Sequence, residues 1–183
     1  MKMRMILGGL LICLLLVSAL GTLEAQNKRV GTAAAPELLI PVGARDLARG
    51  GSTIAISKGI EAIHWNPAGL GVMENAAQGM FSTMSYIADI GVNYGAVAVG
   101  FESFGSIALS IKSLDFGNIP LTTEEDPEGL FGRSFSPAYI TVGLSYARAL
   151  TDAISAGGTI KLVSEQIDRV SASGVAVDVG VQY

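Results

Sequence analysis

From about residue 76 onward, hydrophobic and polar positions alternate with a period of two. In 138–147, Ile140, Val142, Leu144 and Tyr146 alternate with Tyr139, Thr141, Gly143, Ser145 and Ala147. In 174–183, Val175, Val177, Val179, Val181 and Tyr183 oppose Gly174, Ala176, Asp178, Gly180 and Gln182. The stretch 105–114 sets Ile107, Leu109 and Ile111 against Ser106, Ala108, Ser110 and Lys112. In 153–165, Ile154, Ala156, Ile160 and Leu162 oppose Ser155, Gly157, Thr159, Lys161 and Glu165. Two earlier stretches, 77–86 and 91–101, are rich in Gly and Ala and alternate more loosely. Side chains alternate across a strand, so each segment has one apolar face and one polar or small face. The pattern predicts six strands of about ten residues, a length that crosses a bilayer when tilted. One-sided alternation suits both a soluble sandwich and an outer-membrane barrel. The connections favour the barrel. Glu102-Ser103 and Thr151-Asp152 are short turns, and they alternate with longer loops at 116–135 and about 166–173, with Asp89 on the long-loop side. Aromatic residues near strand ends (Tyr86, Phe101, Phe104, Phe116, Phe135, Tyr146 and Tyr183) are placed like interfacial girdles.

Upstream the period changes. Residues 26–42 read as irregular, broken by Pro36 and Pro41. Residues 43–51 predict one or two helical turns ending at Gly50-Gly51, with Arg45 and Arg49 sharing a face. Residues 52–57, Ser-Thr-Ile-Ala-Ile-Ser, predict a short strand, and 58–65 a helical turn. That turn should stop at Asn66-Pro67. Pro67 has no N–H and pushes Asn66 out of the α region, and Gly69 permits a turn that a side chain would block.

Residues 1–25 read as a secretory signal peptide. Lys2 and Arg4 precede an apolar run from Ile6 to Leu16, and small and polar residues follow up to Ala25. Cleavage after Ala25 leaves Gln26 first; the alternative is an uncleaved anchor. Either way the chain leaves the cytoplasm. Half of the residues are hydrophobic and only 15% are charged, which excludes a disordered chain. A net charge of -4 argues against nucleic acid as a partner. The single Cys13 lies in the first apolar run, so the mature chain holds no disulfide framework and no cysteine metal site.

Candidate chemistry is sparse. His64 is the only histidine and sits beside Trp65, so it reads as a packed, hydrogen-bonded side chain. Arg45 and Arg49 suggest an anion site or, more plainly, arginines paired with carboxylates in a polar lumen. Glu124, Glu125, Asp126 and Glu128 allow a calcium site in principle, but they lack EF-hand spacing and read as a solvated loop. No nucleophile motif stands out. The chain is expected to be non-enzymatic, with no catalytic residue, cofactor or metal.

Gly31-Thr32-Ala33-Ala34, Leu38 to Arg45, Gly50-Gly51 and Trp65-Asn66-Pro67-Ala68-Gly69-Leu70 resemble the opening of the PorV/PorQ family, a branch of the FadL-like outer-membrane proteins. The resemblance implies a barrel of about fourteen strands with an N-terminal segment at the lumen or periplasmic mouth. It implies an outer-membrane location and a role in type IX secretion, as a shuttle or attachment factor for secreted cargo. FadL-like relatives pass hydrophobic molecules. The motif places Gly43, Ala44, Arg45, Gly50, Gly51, Trp65, Asn66, Pro67, Ala68, Gly69 and Leu70 on the family signature, as structural residues. Lys58-Gly59-Ile60-Glu61 departs from the acidic and small residues that often precede the family's Asn-Pro. Six strands are also fewer than the roughly eight that a single-chain barrel needs.

The expected fold is therefore all-β: an antiparallel transmembrane (outer-membrane) β-barrel, partial, with a short plug-like N-terminal segment. The expected organisation is a signal peptide at 1–25, a Gly- and Arg-rich lead-in at 26–75, and the first six strands at 76–183, the chain being an N-terminal fragment. Expected partners are outer-membrane lipids and secretion components or secreted cargo. The alternatives are a FadL-like transporter of hydrophobic small molecules and a secreted soluble β-sandwich that binds ligand.

Overall fold

The structure, a computed structural model, describes residues 35–183 apart from Ser103. The expected signal peptide and its cleavage point lie outside the described residues. The described chain opens with short helical pieces. A 3₁₀ turn at Pro36–Leu39 is followed by helix α1 (Ala44–Ala48), a second 3₁₀ turn (Gly59–Glu61), helix α2 (Ala62–Trp65) and a third 3₁₀ turn (Pro67–Val72). Eight strands follow: β1 (Ala77–Ser85), β2 (Gly91–Phe101), β3 (Gly105–Asp115), β4 (Ile119–Pro120), β5 (Ser134–Phe135), β6 (Ala138–Ala149), β7 (Ser155–Ile167) and β8 (Val170–Gln182). Among the described residues no helix is long and apolar enough to cross a membrane, which says nothing of crossing by strands.

Six strands form one antiparallel sheet in the order β1-β2-β3-β6-β7-β8; β4 and β5 pair separately. The sheet is open, with β1 and β8 as its edges. Its register runs apolar side chains in rows across the strands. Val97 pairs with Leu109, Leu109 with Leu144, Leu144 with Ile160, and Ile160 with Val177. The next row, on the other face, is Ala96, Ser110, Gly143, Lys161 and Ala176.

Burial is inverted relative to a water-soluble sheet. The polar and small row is covered: Ser145 is 0% exposed and Thr159 1%. The apolar row is open: Leu144 is 56% exposed and Val179 82%. Burying a Val, Leu or Ile side chain is worth about 1.5–3 kcal/mol, so a whole apolar face turned to water would be very costly. The core lies instead on the polar face, where the helical lead-in packs onto the sheet. Val42, Ile60, Ile63 and Leu70 from the lead-in meet Val92, Tyr94, Leu114 and Ala147 from the strands. Among the described residues this is not the packing of a soluble sandwich, in which apolar faces lie on each other.

Two local expectations are corrected. Residues 52–57 form turns, not a strand. The N–H groups of Ile56 and Ser57 both donate to the carbonyl of Thr53, so the backbone is spent locally, and Ile54 and Ile56 point outward. The long loop expected at about 166–173 is a two-residue turn at Asp168-Arg169, with Ile167 paired to Val170. The Ser- and Ala-rich stretch after it carries no apolar alternation, yet its backbone ladder continues through Ser171 opposite Gln166. Of the two long loops, only the one between β3 and β6 remains.

Candidate functional site

The signature run closes α2 and seats the lead-in on the sheet. Asn66 is extended (φ −157°, ψ 101°), and Pro67 occupies the first position of the third 3₁₀ turn, where a missing N–H costs nothing. The Asn66 side chain has three partners. Its Oδ1 accepts the N–H of Ala68 at 3.2 Å, and its Nδ2 donates to the carbonyls of Ile54 at 2.9 Å and Val181 at 3.1 Å. One buried amide thus joins the 3₁₀ turn, the 52–57 turn and strand β8.

Glycines make room for this seat. A Cβ on Gly69 would run into the Ser57 carbonyl, and one on Gly180 into Asn66 Oδ1. A Cβ on Gly157 would come within 2.6 Å of the Pro67 carbonyl, and one on Gly71 within 2.9 Å of the Arg148 backbone. Gly43, Gly50 and Gly51 of the signature all have left-handed φ, of 89°, 69° and 71°. Gly51 also faces the Trp65 ring, whose Cη2 lies 3.0 Å from where a Cβ would stand. Ala68 and Leu70 are fully buried.

Wall side chains hold the rest of the lead-in. Lys112 on β3 donates to the carbonyls of Glu37 at 2.7 Å, Ile40 at 3.2 Å and Leu38 at 3.5 Å, closing the end of the first 3₁₀ turn. Gln78 on β1 accepts the N–H of Ile60 at 2.9 Å. Gln182 on β8 donates to the carbonyls of Ala55 at 2.7 Å and Ser57 at 3.3 Å. The lead-in is therefore tied to both edge strands. Lys161 and Asp178 form an ion pair at 2.5 Å on the same face.

Arg45 is an ion-pair residue, not an anion site. Its Nε lies 2.5 Å from Glu61 Oε2 and 3.8 Å from Asp46 Oδ1, and Arg49 approaches the same Asp46 oxygen at 3.9 Å. Asp46 is fully buried and accepts the Ser57 hydroxyl at 2.6 Å. Ala44, the first residue of α1, places this cluster directly after the Gly43 bend. His64 stacks edge-on against Trp65 at 5.3 Å. Burial, with the positive charges of Lys112 and Lys161 adding, lowers its imidazole to about 3, so it is neutral. A cavity of about 20 Å³ lies between His64, Tyr94, Lys112 and Lys161, about the room of one water. Burial, and then the negative charge of Glu165, raises the Glu37 carboxyl above its ordinary value. Among the described residues neither Glu37 carboxylate oxygen has a hydrogen-bond partner. Among the described residues, no three His, Cys, Asp or Glu side chains converge on a common point.

The structure gathers Asn66 to Leu70 into one seat against the sheet, with Gly51 facing the Trp65 ring beside it. Sequence reasoning missed its wall half: Gly157, Gly180, Lys112 and Gln182, along with the Asp46–Ser57 pair. The available signal was the alternation itself, which already put those strand residues on the polar face.

A family model described as type IX secretion system protein PorV matches residues 23–183 of the chain. No curated protein matches it.

Proposed function

The chain belongs to the PorV family of type IX secretion system proteins, and from that membership we propose that it serves as wall and internal plug of an outer-membrane barrel that handles secreted cargo without catalysing a reaction. Membership makes it a type IX secretion-related outer-membrane protein. The observation that carries the barrel reading is the inverted sheet, with apolar rows open and polar rows covered. In this reading the apolar rows meet lipid. Closure of the barrel gives the edges of β1 and β8 their partner strands, because unpaired backbone is not stable in hydrocarbon. The lead-in fills the lumen side as a fixed seat, and the long β3–β6 loop lies at the end turned outward. The 1–25 segment delivers the chain to the envelope.

The test is made in the native host. Outer membranes are run unboiled and boiled, with detection by an antibody to residues 116–135, and cargo on the cell surface is compared with a deletion strain. A heat-dependent band shift together with loss of surface cargo on deletion supports the proposal. A soluble periplasmic band that does not shift contradicts the barrel, and unchanged surface cargo in the deletion strain contradicts the secretion role.

A further inference from the structure

The loop between β3 and β6 is built around one carboxylate. Asp126, 5% exposed amid a run of glutamates, turns its side chain inward and accepts the N–H groups of Leu130 and Phe131, each at 2.8 Å. Its own N–H donates to Thr123, and its carbonyl accepts from Thr123 and Gly129. The base is closed by the β4–β5 pair and by the Leu121 N–H on the Arg133 carbonyl at 2.8 Å. Gly129 and Gly132 bracket the tip with left-handed φ of 71° and 68°. The result of all this fixing is that Leu130 and Phe131 stand 78% and 68% exposed. Two large apolar side chains held out by a satisfied frame give nothing to the core of the described residues. A pre-ordered tip does lower the entropic cost of binding something else.

The charge around the tip selects the partner. Glu124, Glu125 and Glu128 are exposed beside it, and Arg133 is the only cation in 116–137. Such a rim repels phosphate-bearing lipid headgroups and complements a basic surface. We propose that the β3–β6 loop is a docking element whose Leu130-Phe131 tip enters an apolar pocket, rimmed by basic residues, on a partner protein. This rests on the reading above that the loop's end of the sheet faces outward.

The test uses the full chain in its host, with a photo-crosslinking amino acid at the exposed Thr122. Four versions are compared: otherwise unchanged, L130S/F131S, E124K/E125K/E128K and D126A, each checked for the heat-dependent band shift that shows a folded barrel. The expected result is a discrete protein adduct that falls about tenfold or more in both the apolar and the charge-reversal variants. D126A, which releases the tip without touching it, should also weaken the adduct. An adduct indifferent to both surface variants, label found only on lipid, or no adduct would overturn the proposal. Surface cargo separates this from the wider reading. Cargo lost on deletion but retained in the variants sinks the docking tip and leaves the secretion role standing. Cargo retained on deletion sinks the secretion role, and the adduct still decides the docking tip.

Discussion

At the scale of single residues, Asn66 and Gly180 are one joint contributed by positions far apart in the chain. Asn66→Ala removes three hydrogen bonds and strands two carbonyls, an expected loss of about 2–4 kcal/mol. Gly180→Ala drives a Cβ into Asn66 Oδ1 and should also destabilise. The two effects should not add, because removing the Asn66 side chain removes the main obstacle to the new methyl group. A double-mutant cycle on the denaturation midpoint of the folded, unboiled band measures this. His64 and Glu37 give opposite pH signs. A histidine held at about 3 binds fewer protons folded than unfolded, so its contribution is fully present above about pH 6.5 and is lost as pH falls toward 3. His64→Gln should flatten stability across that window. Glu37 has a raised pKa, so its charged form is unfavourable at neutral pH and the penalty lifts as pH falls. Glu37→Gln should therefore stabilise at pH 7, read on the same midpoint.

At the scale of elements, strand faces were legible in the sequence and seats were not. Ile140, Val142, Leu144 and Tyr146 alternate with small and polar residues, and alternation alone fixes which side each occupies. The 52–57 run also alternates, but the Thr53 carbonyl captures two N–H groups before any strand can pair with it. Local pattern could not reveal that competition. The Asp168-Arg169 hairpin was hidden because, apart from Ile167 and Val170 beside the turn, its flanks Ser164 to Gln166 and Ser171 to Gly174 carry no large apolar side chains to alternate. The signature's Asn66 was visible as motif, but its partner Val181 and the Gly180 that makes room for it come from more than a hundred residues away. The strand faces yield a sharp prediction. Leu144→Lys should cost about 2–4 kcal/mol if that face meets the bilayer interior, and close to nothing if it meets water. The amount of folded protein recovered from the outer membrane distinguishes these outcomes.

At the scale of the whole molecule, the chain reads as a sheet with its inside and outside exchanged. The lead-in reaches Gln78 on one edge strand and Val181 and Gln182 on the other, so it braces the sheet across its polar face. Everything proposed here depends on the opposite face meeting lipid. The most direct measurement is photolabelling of the native protein in its own outer membrane with a carbene precursor dissolved in the lipid, mapped by peptide mass spectrometry. Label is expected on Ile140, Val142, Leu144, Ile160, Leu162, Val175 and Val177, with Thr141, Ser145, Thr159 and Lys161 spared. Label on the polar row, or an apolar row marked only by a water-soluble reagent, would contradict the membrane wall.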